Sequence, residues 1–122
     1  MRILSISWMD DEKREGILTL STGRNSFQVY CYPCSFSPGD TITIPLQSLD
    51  DQDVIRVEGK SYNIEPIGEG FENRITALVE DTKRGIVSVG EVKIELGTKL
   101  PGDINAGEMV SFTSLRLQAR KS

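Results

Sequence analysis

No histidine occurs among the 122 residues. That single absence removes Ser-His and Cys-His nucleophile pairs, His-ligated zinc and a histidine pH switch. Only two cysteines are present, which leaves a structural zinc without its four ligands. Alanine, the strongest helix former, appears three times, and no stretch sustains an i, i+3, i+4, i+7 apolar pattern through a full-length helix. A window of 18 consecutive apolar residues is also missing, which excludes a transmembrane helix. The chain opens on Met1 and Arg2 and passes directly into a strand-like run with no signal-peptide core, so a soluble cytoplasmic protein is expected. With no linker rich in Pro, Gly or Ser, residues 1–122 read as one domain.

What the chain does contain is enough apolar residue to build a core. Leu, Ile, Val and Phe number 34, or 28% of the chain, above the level at which chains stay disordered. A domain of this length buries roughly two-thirds of its unfolded surface, so it needs no metal or disulfide to fold. Ile, Val and Thr total 28, and their stiff, branched side chains suit a pleated surface. Alternation with period two recurs between Gly, Pro, Asn and Asp punctuation and predicts an all-β class. Nine strands are expected: Arg2 to Trp8, Gly16 to Ser21, Ser26 to Tyr32, Thr41 to Leu46, Asp53 to Glu58, Ser61 to Glu65, Arg74 to Glu80, Gly85 to Leu96 and Met109 to Leu117. Within Gly85 to Leu96 the apolar parity switches around Gly90, which predicts a bulge or a sharp bend in one long strand.

Two segments resemble each other at long range. Asp11-Glu12-Lys13-Arg14-Glu15-Gly16-Ile17-Leu18 matches Asp81-Thr82-Lys83-Arg84-Gly85-Ile86-Val87, and each follows an apolar strand. The pattern Gly39-Asp40-Thr41-Ile42 returns as Gly107-Glu108-Met109-Val110 at a matching distance downstream. The expectation is two copies of one β unit, residues 1–50 and 72–118, joined by a hairpin over residues 53–66. Two such units bury their apolar faces on each other as a small β-barrel or as two packed sheets. The stretch Leu100-Pro101-Gly102-Asp103-Ile104, with the strand that follows it, resembles the loop-and-strand chemistry of oligonucleotide-binding barrels. That resemblance covers under a fifth of the chain and implies a barrel that holds single-stranded nucleic acid.

Several short motifs fail on their own chemistry. Cys31-Tyr32-Pro33-Cys34 has redox and zinc spacing, but it follows a strand rather than opening a helix, and further ligands are missing. Buried or turn-lining thiols are expected, with a cis Tyr32-Pro33 bond in a type VI turn. Gly59-Lys60-Ser61 has Val54 where a phosphate-binding loop needs Gly, and it reads as a hairpin turn. Gly68-Glu69-Gly70 meets Asn73 in place of the third dinucleotide glycine. Counting a calcium loop from Asp51 puts Arg56 where Gly is required. No metal and no cofactor is expected, and no arrangement of carboxylates, lysines, tyrosines or thiols marks an enzyme.

Charge and aromatic residues point instead to binding. Residues 40–81 carry ten acids against Arg56, Lys60 and Arg74, whereas residues 82–122 carry four acids against seven bases. Phe27, Tyr30, Tyr32 and Phe36 supply half of the eight aromatic residues. If Phe27, Val29 and Cys31 face the core, Tyr30 and Tyr32 share the outer face as anchors for a protein or stacking platforms for bases. Near the end of the chain Leu115, Leu117 and Ala119 alternate with Arg116, Gln118 and Arg120, which puts the two arginines on one face. The leading expectation is a non-catalytic, acidic protein-binding domain of inhibitor or immunity type. Tyr30, Tyr32, Asp50, Asp51 and Asp53 would meet a basic protein. The alternative is a single-strand nucleic-acid binder using Lys83, Arg84, Arg116 and Arg120, disfavoured by the net charge of −4.

Overall fold

Alternation translates directly into burial in Gly16-Ile17-Leu18-Thr19-Leu20. In the computed structural model, which describes residues 1–119, Gly16, Leu18 and Leu20 are buried while Ile17 and Thr19 are only partly covered. The same rule sets β1(Ile3–Asp10), β2(Glu15–Ser21), β3(Ser26–Cys31), β4(Leu46–Leu49), β5(Gln52–Val57) and β6(Asn63–Pro66). It continues through β7(Asn73–Asp81), β8(Ile86–Val89), β9(Val92–Glu95), β10(Met109–Ser114) and β11(Arg116–Ala119). The protein is all-β, and the described residues hold no helix long and apolar enough to cross a membrane.

All eleven strands join one mixed sheet in the order β1-β2-β3-β11-β4-β9-β8-β7-β10-β5, with β6 also paired to β7. Strands β1 and β5 are its two ends, so the sheet does not close into a barrel. Both ends are locally blocked. At β1 the Ile3 N–H donates to Asp40 O at 2.8 Å and Ile3 O accepts Gly39 N–H at 2.8 Å, which occupies the outer edge with a loop. At β5 the left-handed Asp53, with φ 56°, accompanies a register shift between its neighbours and disturbs the ladder. One core takes residues from both sides of the sheet order, among them Leu18, Phe27, Leu46, Ile75, Val87 and Phe112. Burying one such side chain stabilises the fold by about 1.5–3 kcal/mol.

Three strand expectations are corrected, and so is the linking hairpin over residues 53–66, because β5 pairs with β10 and β6 with β7 rather than with each other. Thr41 to Leu46 is not a strand: Thr41 makes one isolated bridge to Arg2, and regular pairing starts at Leu46. Pro45 offers no N–H to a ladder there, and Ile42 is used as a core plug instead. Gly85 to Leu96 is not one bent strand, because Val89 pairs with Val92 across a tight turn at Gly90-Glu91. The parity switch therefore marks a chain reversal. Met109 to Leu117 breaks at Leu115 into β10, between β7 and β5, and β11, between β3 and β4.

Some local geometry occurs twice. Asp10 Oδ1 accepts the Lys13 N–H at 3.1 Å, and Asp81 Oδ1 accepts those of Lys83 and Arg84 at 3.0 and 3.1 Å. Arg14 and Gly85, with φ 59° and 66°, each present a carbonyl to a later N–H, of Cys34 at 2.7 Å and of Leu96 at 2.8 Å. Asp40 accepts the Ser37 N–H at 2.8 Å, as Glu108 accepts the Asn105 N–H at 2.7 Å. Each three-stranded meander, β1-β2-β3 and β7-β8-β9, takes a parallel fourth strand from the other half: β11 beside β3 and β4 beside β9.

Candidate partner-binding surface

The corner between β10 and β11 begins with a backbone anchor. Leu115 N–H donates to Leu49 O at 3.0 Å, and this turns the Leu115 side chain outward, 51% exposed, rather than inward with Leu117 as alternation predicts. After the corner Leu117 and Ala119 are buried, so Arg116 and Gln118 take the outer face. The Arg116 guanidinium lies 4.4 Å from the centroid of the Tyr30 ring on neighbouring β3. Such a cation–π contact is worth about 0.5–1 kcal/mol at an exposed site. On its other flank the Tyr30 hydroxyl donates to the Glu15 carboxylate. That hydrogen bond, then burial and the Glu15 charge, raise the Tyr30 pKa above the usual phenol value.

Beyond Arg116 the surface opens into a cleft of about 530 Å³. Leu49, Ile67, Phe71 and Leu115 supply its apolar lining, and Asp50 and Glu72 stand with Arg116 on its rim. The loop that carries Ile67 and Phe71 is closed by its own backbone, Ile67 N–H to Glu72 O at 2.8 Å, and by buried Asn73, whose Nδ2 donates to Phe71 O at 3.0 Å. Ile67 remains 42% exposed. An apolar recess bordered by Asp50, Glu72 and Arg116 can take an apolar side chain flanked by charged groups.

Of the expected contact residues, Asp50 and Asp53 are exposed, each at positive φ, and Asp50 lies on the rim of the cleft. Tyr32 is 46% exposed, just before the cis bond to Pro33. Tyr30 is half-buried under Arg116 and offers no free ring face on that side. Asp51 is a correction: it is 8% exposed and turned into the fold, so it is not a contact for a partner. Its Oδ2 accepts the Gly97 N–H at 2.7 Å, and the Ser48 hydroxyl, 2.6 Å from Ser114 Oγ, donates to its other oxygen. Burial raises the Asp51 pKa, the Asp50 charge adds to the rise, and the bonds from Ser48, Gly97 and Thr98 oppose it without reversing it.

The basic residues are not gathered into one stripe. Lys83 and Arg84 occupy the turn between β7 and β8, Arg116 lies on β11, and β4 and β9 intervene in the sheet order. Arg120 lies outside the described residues. Cys31 and Cys34 are buried free thiols, and burial together with the neighbouring Cys34 pushes the Cys31 pKa well above the ordinary thiol range. Sequence reasoning missed Leu49, Ile67, Phe71 and Leu115. A signal did exist for two of them, because Ile67 and Phe71 are large apolar residues in a loop otherwise made of Gly and Glu.

No protein-family model matches the chain, and neither a curated protein nor a solved structure matches it significantly.

Proposed function

We propose that this protein is a non-catalytic binding domain, of inhibitor or immunity type, that captures a basic protein through the cleft beside Arg116. The observation that carries this reading is the union of an apolar recess, lined by Leu49, Ile67, Phe71 and Leu115, with acids at Asp50 and Glu72. An apolar side chain of the partner fills the recess, and its flanking lysines or arginines meet the rim. The exposed Glu69 of the same loop and Asp53 of β5 widen the negative field that steers association. The residue blocks 1–50 and 72–118 are proposed to be copies of one unit, on the strength of their repeated turns and exchanged fourth strands.

The test is paired affinity capture from lysate of the source organism, with immobilised wild type beside an Asp50→Lys/Glu72→Lys variant. A basic polypeptide held by the wild type and lost from the variant supports the reading. Equal retention by both proteins overturns it, as does recovery of salt-sensitive nucleic acid in place of a polypeptide.

A further inference from the structure

A second recess lies around Tyr62, at the other end of β6. Tyr62 is 48% exposed, and its ring lies against Gly90, where a Cβ would fall 3.3 Å from Tyr62 Cε2. On one side of the ring, Val57, Met109 and Leu78 form a row across β5, β10 and β7, each the direct cross-strand partner of the next. Val110, beside Met109, and Ala77 and Val79, beside Leu78, are buried in the core, so Met109 and Leu78 lie on the opposite face of the sheet, Met109 7% exposed and Leu78 and Val57 half-buried. The turn Glu58-Gly59-Lys60 and the Gly107-Glu108 turn wall a cleft of about 610 Å³ over that row, within the size range of small-molecule sites.

Charge around this cleft is unevenly committed. Arg56 is held by Asp103 at 2.9 Å and Glu108 at 3.3 Å, so its cation and the Glu108 carboxylate largely cancel. Glu58 and Lys60 remain on the rim. A smaller recess of about 300 Å³ shares both Lys60 and Tyr62 with the cleft. Its other lining residues are Thr22, Arg24 and Ser61, which makes two cations, three hydroxyls and no carboxylate. Thr22 Oγ1 is engaged by the N–H groups of Arg24 and Asn25, at 3.3 and 3.2 Å. Arg24 and Lys60 take part in no ion pair among the described residues.

We infer that the Tyr62 cleft is a binding site for a small aromatic phosphate. A planar ring lies over Val57, Met109 and Leu78 against the side of Tyr62, and the phosphate sits between Arg24 and Lys60 with the Ser61 hydroxyl in reach. The apolar floor supplies the burial, and the two cations supply charge-assisted hydrogen bonds to an anion with several oxygens. Neither recess alone selects this ligand. The apolar cleft has no uncommitted cation except Lys60, and the smaller recess has no apolar floor.

The experiment is a titration of the full chain at low ionic strength with 1-naphthyl phosphate, read by NMR, with inorganic phosphate in parallel. Saturable one-to-one shifts at the Met109 and Leu78 methyls and at the Lys60 to Tyr62 amides are expected, with inorganic phosphate binding at least tenfold more weakly. The Arg24→Glu/Lys60→Glu variant should bind naphthyl phosphate at least tenfold more weakly. Both positions are exposed and outside the core, so the fold is retained. Absence of shifts at Met109 and Leu78 in the wild type overturns the inference whatever the variant does. Unchanged affinity in the variant, or inorganic phosphate binding as tightly as the aryl phosphate, overturns it too.

Discussion

The two recesses lie at opposite ends of the same four strands, β6, β7, β10 and β5. Where Pro66 pairs with Asn73 and Ser114 faces Asn73, the surface is apolar with acids at its rim. Five residues further along β10, roughly 17 Å at strand rise, Met109 and Leu78 underlie an aromatic recess with uncommitted cations. The scaffold is shared, and what differs is the loop at each end. Ile67 to Glu72 brings two carboxylates and no cation beside Ile67 and Phe71, whereas Glu58 to Tyr62 sets Lys60 and two hydroxyls, of Ser61 and Tyr62, against one carboxylate. The two recesses therefore differ through their connections, while the strands fix where the connections stand.

The largest effect is one that removes both ends together. Phe112 is fully buried on the inner face of β10, midway between the recesses. Phe112→Ala should cost about 3–5 kcal/mol in urea unfolding, through lost burial and the cavity left behind. A loss below about 1 kcal/mol would mean that the two ends do not rest on a common core.

The two ends should then separate when charge is changed at one of them. With the partner recovered by capture, Asp50→Lys/Glu72→Lys should slow association about tenfold at low salt, and the gap should narrow as salt rises. Stopped-flow mixing reads both quantities, and naphthyl phosphate binding at the far end should not change. An association rate equal to that of the wild type removes the acidic rim from the mechanism.

A smaller effect tests the stack that borders the acidic cleft. Tyr30→Phe removes the hydrogen bond to Glu15 but keeps the ring beneath Arg116. Stability should fall by about 0.5–1.5 kcal/mol, the net worth of one hydrogen bond. No change in the unfolding midpoint would show that Glu15 bonds equally well to water.

Much of this architecture was legible from residue order, and the failures share a cause. Strands whose alternation ran between clear turn residues, such as Gly16 to Ser21 and Arg74 to Glu80, lie within a residue of where the pattern puts them. Thr41 to Leu46 alternates just as well, yet its backbone serves the β1 edge, and sequence carries no mark of that tertiary demand. The Gly90 parity switch was visible, but a bulge and a two-residue hairpin both produce it, and only the partner strand decides between them. For the sites, the charge pattern treated Asp50, Asp51 and Asp53 alike. A single residue of register separates exposed Asp50 from buried Asp51.

That buried carboxyl gives the smallest and most local test of the difference between the ends. Asp51 follows Asp50 of the acidic cleft, is turned into the fold and bonded to Ser48 and Gly97, and its folded pKa is raised chiefly by burial. A carboxyl whose folded pKa exceeds its unfolded value binds its proton more tightly in the native state. Its contribution is therefore fully present below the ordinary aspartate pKa and is lost as pH rises through the higher folded value. Stability at this end should fall across that window. Asp51→Asn should remove that part of the fall, since an amide oxygen still accepts the Gly97 N–H while no charge is buried. Asp50→Lys should reduce it, because the Asp50 charge adds to the rise. Hydrogen exchange at Gly97 and Leu115, compared with Leu78 and Met109, reads the two ends separately across pH. The slope should change at the first pair and stay fixed at the second, and equal slopes in wild type and Asp51→Asn would remove Asp51 from the foundation of the cleft.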